Sequence, residues 1–125
     1  MKIIKYIKAG GYVVLSLGMI HTAATPVIFK LSEIKSAGQL DSVFMFVTVG
    51  IAVIFTGLLQ LFCIKNIDAG NHIIKILKGS VCFMLIMGLG AVLVMPDNPF
   101  AYISLVAAIY EWITIKMFIR KKELL

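Results

Sequence analysis

Hydrophobic residues fall into four long runs, at about residues 6–28, 44–64, 73–95 and 100–119, separated by short polar stretches. Each run holds twenty or more residues. At 1.5 Å per residue, that crosses a hydrocarbon core about 30 Å thick. Backbone groups in lipid must find their hydrogen bonds within the segment, so the runs predict helices and not strands. The expected fold class is all-α: a polytopic membrane protein, one four-transmembrane-helix bundle over residues 1–125.

The polar stretches differ in kind. Residues 65–72 read as a short turn. Residues 96–99, Pro-Asp-Asn-Pro, predict a tight turn in which one proline stops a helix and the other starts the next. Residues 29–43 make the longest connection, where Leu31, Ile34 and Leu40 alternate with Lys30, Glu33, Lys35 and Asp41. Either a short helix lying in the interface or an ordinary amphipathic loop fits that stretch. The start of the chain imitates a signal peptide, with Lys2, Lys5 and Lys8 before an apolar stretch and small residues at Ala23 and Ala24. Because the run continues through Ile28, an uncleaved first helix is expected.

Composition agrees with a membrane class. The 125-residue chain is 61% hydrophobic and 14% charged, against about half and a quarter for soluble domains. A net charge of +6 raises the question of nucleic acid, but the cations flank the apolar runs instead of forming a patch. Ten of the twelve Lys and Arg residues fall on one side of a four-span topology. Only Lys30 and Lys35 fall on the other, and residues 96–99 carry none. This asymmetry predicts both termini cytoplasmic, and it disfavours an antiparallel dual-topology dimer. The two halves do not repeat each other, so an inverted-repeat transporter within one chain is not expected.

Small residues predict how the helices meet, since lipid supplies no hydrophobic drive between them. Gly11, Gly18 and Thr25 recur at seven-residue spacing in the first run, and Gly50 and Gly57 in the second. That spacing suits a left-handed crossing. The third run offers Gly79, Ser80, Gly88 and Gly90, and the fourth Ser104, Ala107 and Ala108. A further small-residue face would serve a homo-oligomer.

The costly residue is Glu111, centred in the apolar stretch 100–117. A carboxylate there costs about 2.5–3.5 kcal/mol on insertion scales. It shares a helical face with Ala107, Ala108 and Thr114, as His21 does with Gly18 and Thr25, and Gln60 with Thr56 and Gly57. Helical rise puts Glu111 about 16 Å and His21 about 10 Å below the outer ends of their runs, a separation of about 6 Å, with Gln60 deeper at about 24 Å. The expected polar site is therefore Glu111 with His21, flanked by Thr25 and Thr114, holding a ligand or a proton. Gln60 and Tyr110 are expected as separate interhelical polar residues. Two protonation states compete at Glu111: the neutral acid if it is unpaired, the carboxylate beside an imidazolium or in a hydrated cleft. The structural alternative is a hydrogen bond to His21 or to Tyr12, Tyr102 or Tyr110 that pins the bundle. Pro26 leaves the carbonyl of Thr22 without an amide partner, and so adds a polar spot near His21. Trp112, about 100° round the helix from Glu111, faces lipid, a partner or the side of the bundle.

Other chemistry is poorly supported. Cys63 and Cys82 form no metal-spaced motif and read as small hydrophobes. His21 is the sole intramembrane histidine, too little for haem. No phosphate loop, nucleophile elbow or pair of acids is present. No metal, no cofactor and no nucleic-acid partner is expected, and a non-enzymatic role is favoured over an enzyme.

Gly18-Met-Ile-His21 followed by Pro26 in the first run, and Gly57-Leu-Leu-Gln60 in the second, resemble elements of the small bacterial DoxX-like four-helix membrane proteins and their neighbours. Those proteins often carry an acid at the position of Gln60; here the acid is in the fourth run. The resemblance covers about half the chain. It implies a four-helix bacterial inner-membrane protein of a kind sometimes linked to redox or quinone-associated complexes. Two functions follow as expectations. The first is an accessory bundle that joins a larger membrane complex or binds a lipid- or quinone-like ligand near Glu111 and His21. The alternative is an oligomeric proton-coupled transporter or channel with Glu111 as proton carrier.

Overall fold

The structure, a computed structural model, describes residues 2–31 and 37–123. Four helices follow one another: α1 (Lys2–Leu31), α2 (Ala37–Lys65), α3 (Asn71–Val94) and α4 (Pro99–Glu123). Each contains a span long and apolar enough to cross a membrane: Ile3–Val27, Ser42–Lys65, Asn71–Val94 and Pro99–Lys122. The chain is thus an all-α, multi-pass four-helix bundle.

The helices outrun their apolar stretches. Once a helix is nucleated, each further residue adds a backbone hydrogen bond, so α1 continues through Pro26 to Leu31 and α2 already begins at Ala37. The long loop expected over 29–43 is shorter, because residues 37–43 belong to α2. Residues 32–36, and any interfacial helix formed by them, lie outside the described residues.

Both described turns have local chemistry that closes them. After α2, the Asn66 side-chain amide donates to Phe62 O at 2.8 Å and Ala69 N donates to Asn66 O at 2.9 Å. Gly70 then takes φ 137°, a conformation open to glycine because it lacks Cβ. After α3, Met95 N donates to Ala91 O at 2.8 Å. Asn98 caps α4 by accepting from Phe100 N at 3.0 Å, with Pro99 at the first helical position, where its missing N–H removes no helical bond.

The helices run up-down-up-down in a ring, with α4 closing against α1. Among the described residues the diagonal pairs, α1 with α3 and α2 with α4, make no close backbone approach. The α1–α2 contact is the most extensive and α2–α3 the thinnest. Glycine explains the first. A Cβ on Gly18 would lie 2.6 Å from Ile54 N, and one on Gly57 would lie 2.6 Å from Leu15 N. Gly50 abuts Thr22, and Gly11 abuts Leu61. Both glycine heptads therefore lie in one interface, where their bare backbones allow close approach. Gly88 does the same for α3–α4, its hypothetical Cβ 2.9 Å from Leu105 Cα. Gly79 and Gly90 do not join it; a Cβ on either would meet nothing within 4 Å.

The apolar core is uneven along the bundle. At the end carrying the termini, Ile7, Cys63, Leu77, Val81, Ile115 and Phe118 pack together. A smaller cluster of Val14, Met84 and Ala108 lies next along the axis. Towards the end carrying residues 95–98, a cavity takes the place of the core.

Candidate functional site

The expected polar residues separate into two places. Glu111 is 2% exposed and Gln60 is 1% exposed. Gln60 Nε2 donates to Glu111 Oε2 at 3.0 Å. This bond spans the α2–α4 diagonal, which the helix backbones do not bridge. Gly10 makes room for it on α1: a Cβ there would lie 2.8 Å from Glu111 Cγ and 3.0 Å from Oε1. The adjacent glycines divide the labour, Gly10 receiving α4 and Gly11 receiving α2. Gln60 Oε1 is buried without a partner.

His21 is not part of this pair. Gly10 marks the level of Glu111 on α1, and His21 lies eleven residues further, about 16 Å along the axis. The estimate from apolar runs fails because the hairpins differ in height. From the Glu111 level, α4 rises about 18 Å to its start at Pro99, whereas α1 rises about 31 Å to Leu31. The outer ends are therefore not coplanar, and the Glu111–His21 partnership gives way to Glu111–Gln60. Gln60, expected to stand apart, is the partner.

The remaining polar residues are held locally. Thr114 Oγ1 donates back to Tyr110 O at 3.0 Å and Glu111 O at 2.9 Å. Thr25 Oγ1 donates to His21 O at 2.9 Å. Neither hydroxyl proton is directed at the Glu111 carboxyl. Tyr110 OH donates to Tyr6 O at 3.3 Å, an α4–α1 tie. Trp112 packs on the terminal-end core and carries Lys116 Nζ 5.0 Å from its ring centroid.

The second place is the cavity around His21, about 480 Å³. Its walls come from all four helices and include Leu17, Phe46, Val53, Met84, Met87 and Ala101. His21 lies parallel to Phe46, centroids 4.2 Å apart and planes 12° apart. His21 Nε2 is buried with no hydrogen-bond partner. Among the described residues, Asn98 and Ser104 are the other polar side chains in the lining. A volume of this size lies in the range of small-molecule sites. The lining suits an apolar body with one or two polar groups, because its apolar walls carry only a few polar side chains.

Sequence reasoning missed Gly10, Phe46 and the methionines Met45, Met84, Met87 and Met95 that line the cavity. The Gly10-Gly11 pair was a visible signal, as was a concentration of methionine, which fills irregular apolar space. Stacking of His21 on Phe46 joins two helices at positions no local pattern relates. Among the described residues, no group of three His, Cys, Asp or Glu side chains could hold a metal ion.

Fold and site together define a multi-pass four-helix membrane bundle with an internal polar tie and an apolar cavity. No family model, curated protein or solved structure matches the chain.

Proposed function

We propose that this protein is a small inner-membrane bundle that binds a lipid- or quinone-like molecule in the cavity beside His21, as an accessory to a larger membrane system. The observation that carries this reading is the 480 Å³ apolar cavity with the His21 ring, stacked on Phe46, among its walls. His21 Nε2 is unpaired, which costs about 1–3 kcal/mol, so a ligand hydroxyl that a small turn of the ring lets donate to it would be favoured. The thin α2–α3 contact supports entry from the lipid. The excess of Lys and Arg at the termini end supports cytoplasmic termini. Kinship with DoxX-like proteins belongs to the same proposal, supported by the bundle and by the residues from Gly18 to His21.

Transport on Glu111 has less support. Glu111 lines neither the cavity at His21 nor the groove at Lys8, and it is tied to Gln60. Its role is to pin α2 to α4 across the bundle.

Extraction and mass spectrometry of the purified protein test the binding reading. Gly90 lines the cavity and has free space at its Cβ, so Gly90→Phe sets a ring at the cavity mouth without meeting backbone. The wild type should carry a defined apolar species near one per chain, and Gly90→Phe should carry little. The same lipid mixture on both proteins would refute the proposal.

A further inference from the structure

A second concavity lies at the opposite end of the bundle, between α1 and α2. It encloses about 470 Å³ and is lined by Ile4, Leu61, Phe62 and Ile64, together with Lys8, Tyr12 and Lys65. The two ammonium groups come from different helices, and among the described residues no acidic side chain is in the lining. Lys8 and Lys65 are exposed, and among the described residues neither has a carboxylate partner. Lys8 Nζ stands 5.8 Å from the Tyr12 ring centroid, so its charge is held against the groove wall. Tyr12 lies four residues, about 6 Å, deeper along α1 than Lys8.

We infer that this groove is a binding site for one anionic phospholipid, its phosphate between Lys8 and Lys65 and an acyl chain along Leu61 and Phe62. The charge pattern selects the head and the apolar wall selects the tail. Paired cations at the headgroup level attract anionic lipids, and basic pockets between transmembrane helices hold such heads. Lysine stems reach along apolar surface while their charges stay at the interface. A zwitterionic lipid fits worse, because its own cation would compete with the lysines. The inference is independent of the ligand proposed at His21, which lies at the other end of α1.

Native mass spectrometry from a neutral detergent tests it, with phosphatidylglycerol or phosphatidylcholine of matched chains added. Wild type should retain phosphatidylglycerol about thirtyfold better than phosphatidylcholine, a preference of the size expected for two interfacial cations. Lys8→Gln with Lys65→Gln should abolish that preference. Lys75→Gln with Lys78→Gln, which removes the same charge from exposed positions outside the groove, should preserve it. Excess inorganic phosphate should not displace the lipid, since the tail supplies part of the binding. The inference is overturned by equal retention of the two lipids in wild type. It is also overturned by equal loss in both double variants, which means diffuse charge attraction, or by displacement with phosphate, which means an ion site. All four lysines are exposed, so the variants should retain wild-type helicity and elution volume.

Discussion

A buried carboxyl in a bundle core is tolerated when its neighbours are fitted to it, and Glu111 shows three such adjustments. Gln60 supplies an N–H, Gly10 withdraws its side chain, and Thr114 turns its hydroxyl back onto its own helix. Removing one partner of a buried pair leaves the other unsatisfied, which costs about 1–3 kcal/mol. Gln60→Leu should therefore lower stability in detergent by about that much, while Glu111→Gln, which keeps the shape and an acceptor, should stay within about 1 kcal/mol of wild type. Chemical or thermal unfolding followed by circular dichroism measures both. Equal losses in the two variants would mean that the carboxyl itself is needed and not merely an acceptor for Gln60. The presence of a costly acid was legible in the sequence. Its partner was not, because pairing depends on the relative height of two helices that never touch along their backbones.

At the scale of the element, glycine separates strong interfaces from weak ones. Gly57 and Gly88 face backbone at under 3 Å from a hypothetical Cβ, while Gly79 faces open space. Overpacking of this kind costs typically about 1–3 kcal/mol, whereas alanine for glycine on an open helix face gains up to about 1 kcal/mol. Gly57→Ala and Gly88→Ala should each destabilise the bundle, and Gly79→Ala should leave it unchanged or firmer. Unfolding midpoints of the three variants give the order; a destabilised Gly79→Ala would show that this face packs against another molecule. The heptad of glycines in α1 and α2 was readable as an interface from spacing alone. The grouping of Gly79, Gly88 and Gly90 on α3 was not, since only Gly88 faces α4 and spacing in one helix does not say where its neighbour lies.

Across the whole molecule, close packing at one end and a cavity at the other make the bundle a cup. The tall α1–α2 hairpin and the shorter α3–α4 hairpin are each glycine-tightened, and they meet least between α2 and α3. That shape was invisible in the hydrophobic pattern, which shows how many helices cross but not how far their ends rise. The proposed orientation puts the turn at Asp68 inside and the turn at Asp97 outside. On a background of Cys63→Ala and Cys82→Ala, an impermeant maleimide should label Asp97→Cys in intact cells and Asp68→Cys only after permeabilisation. The reverse pattern would invert the topology.

Ligand binding beside His21 is the central claim, and the two histidines of the chain provide both probe and control. His21 lines the cavity, and His72 sits exposed at the start of α3. The most direct measurement is the imidazole nitrogen NMR spectrum of the protein in lipid nanodiscs during titration with a short-chain quinone and, separately, a diacylglycerol. Binding in the cavity predicts saturable shifts of the His21 resonances with at least one of these probes, no change at His72, and loss of the response in Gly90→Phe. A His21 spectrum that stays fixed with both, or moves equally in Gly90→Phe, would contradict the account.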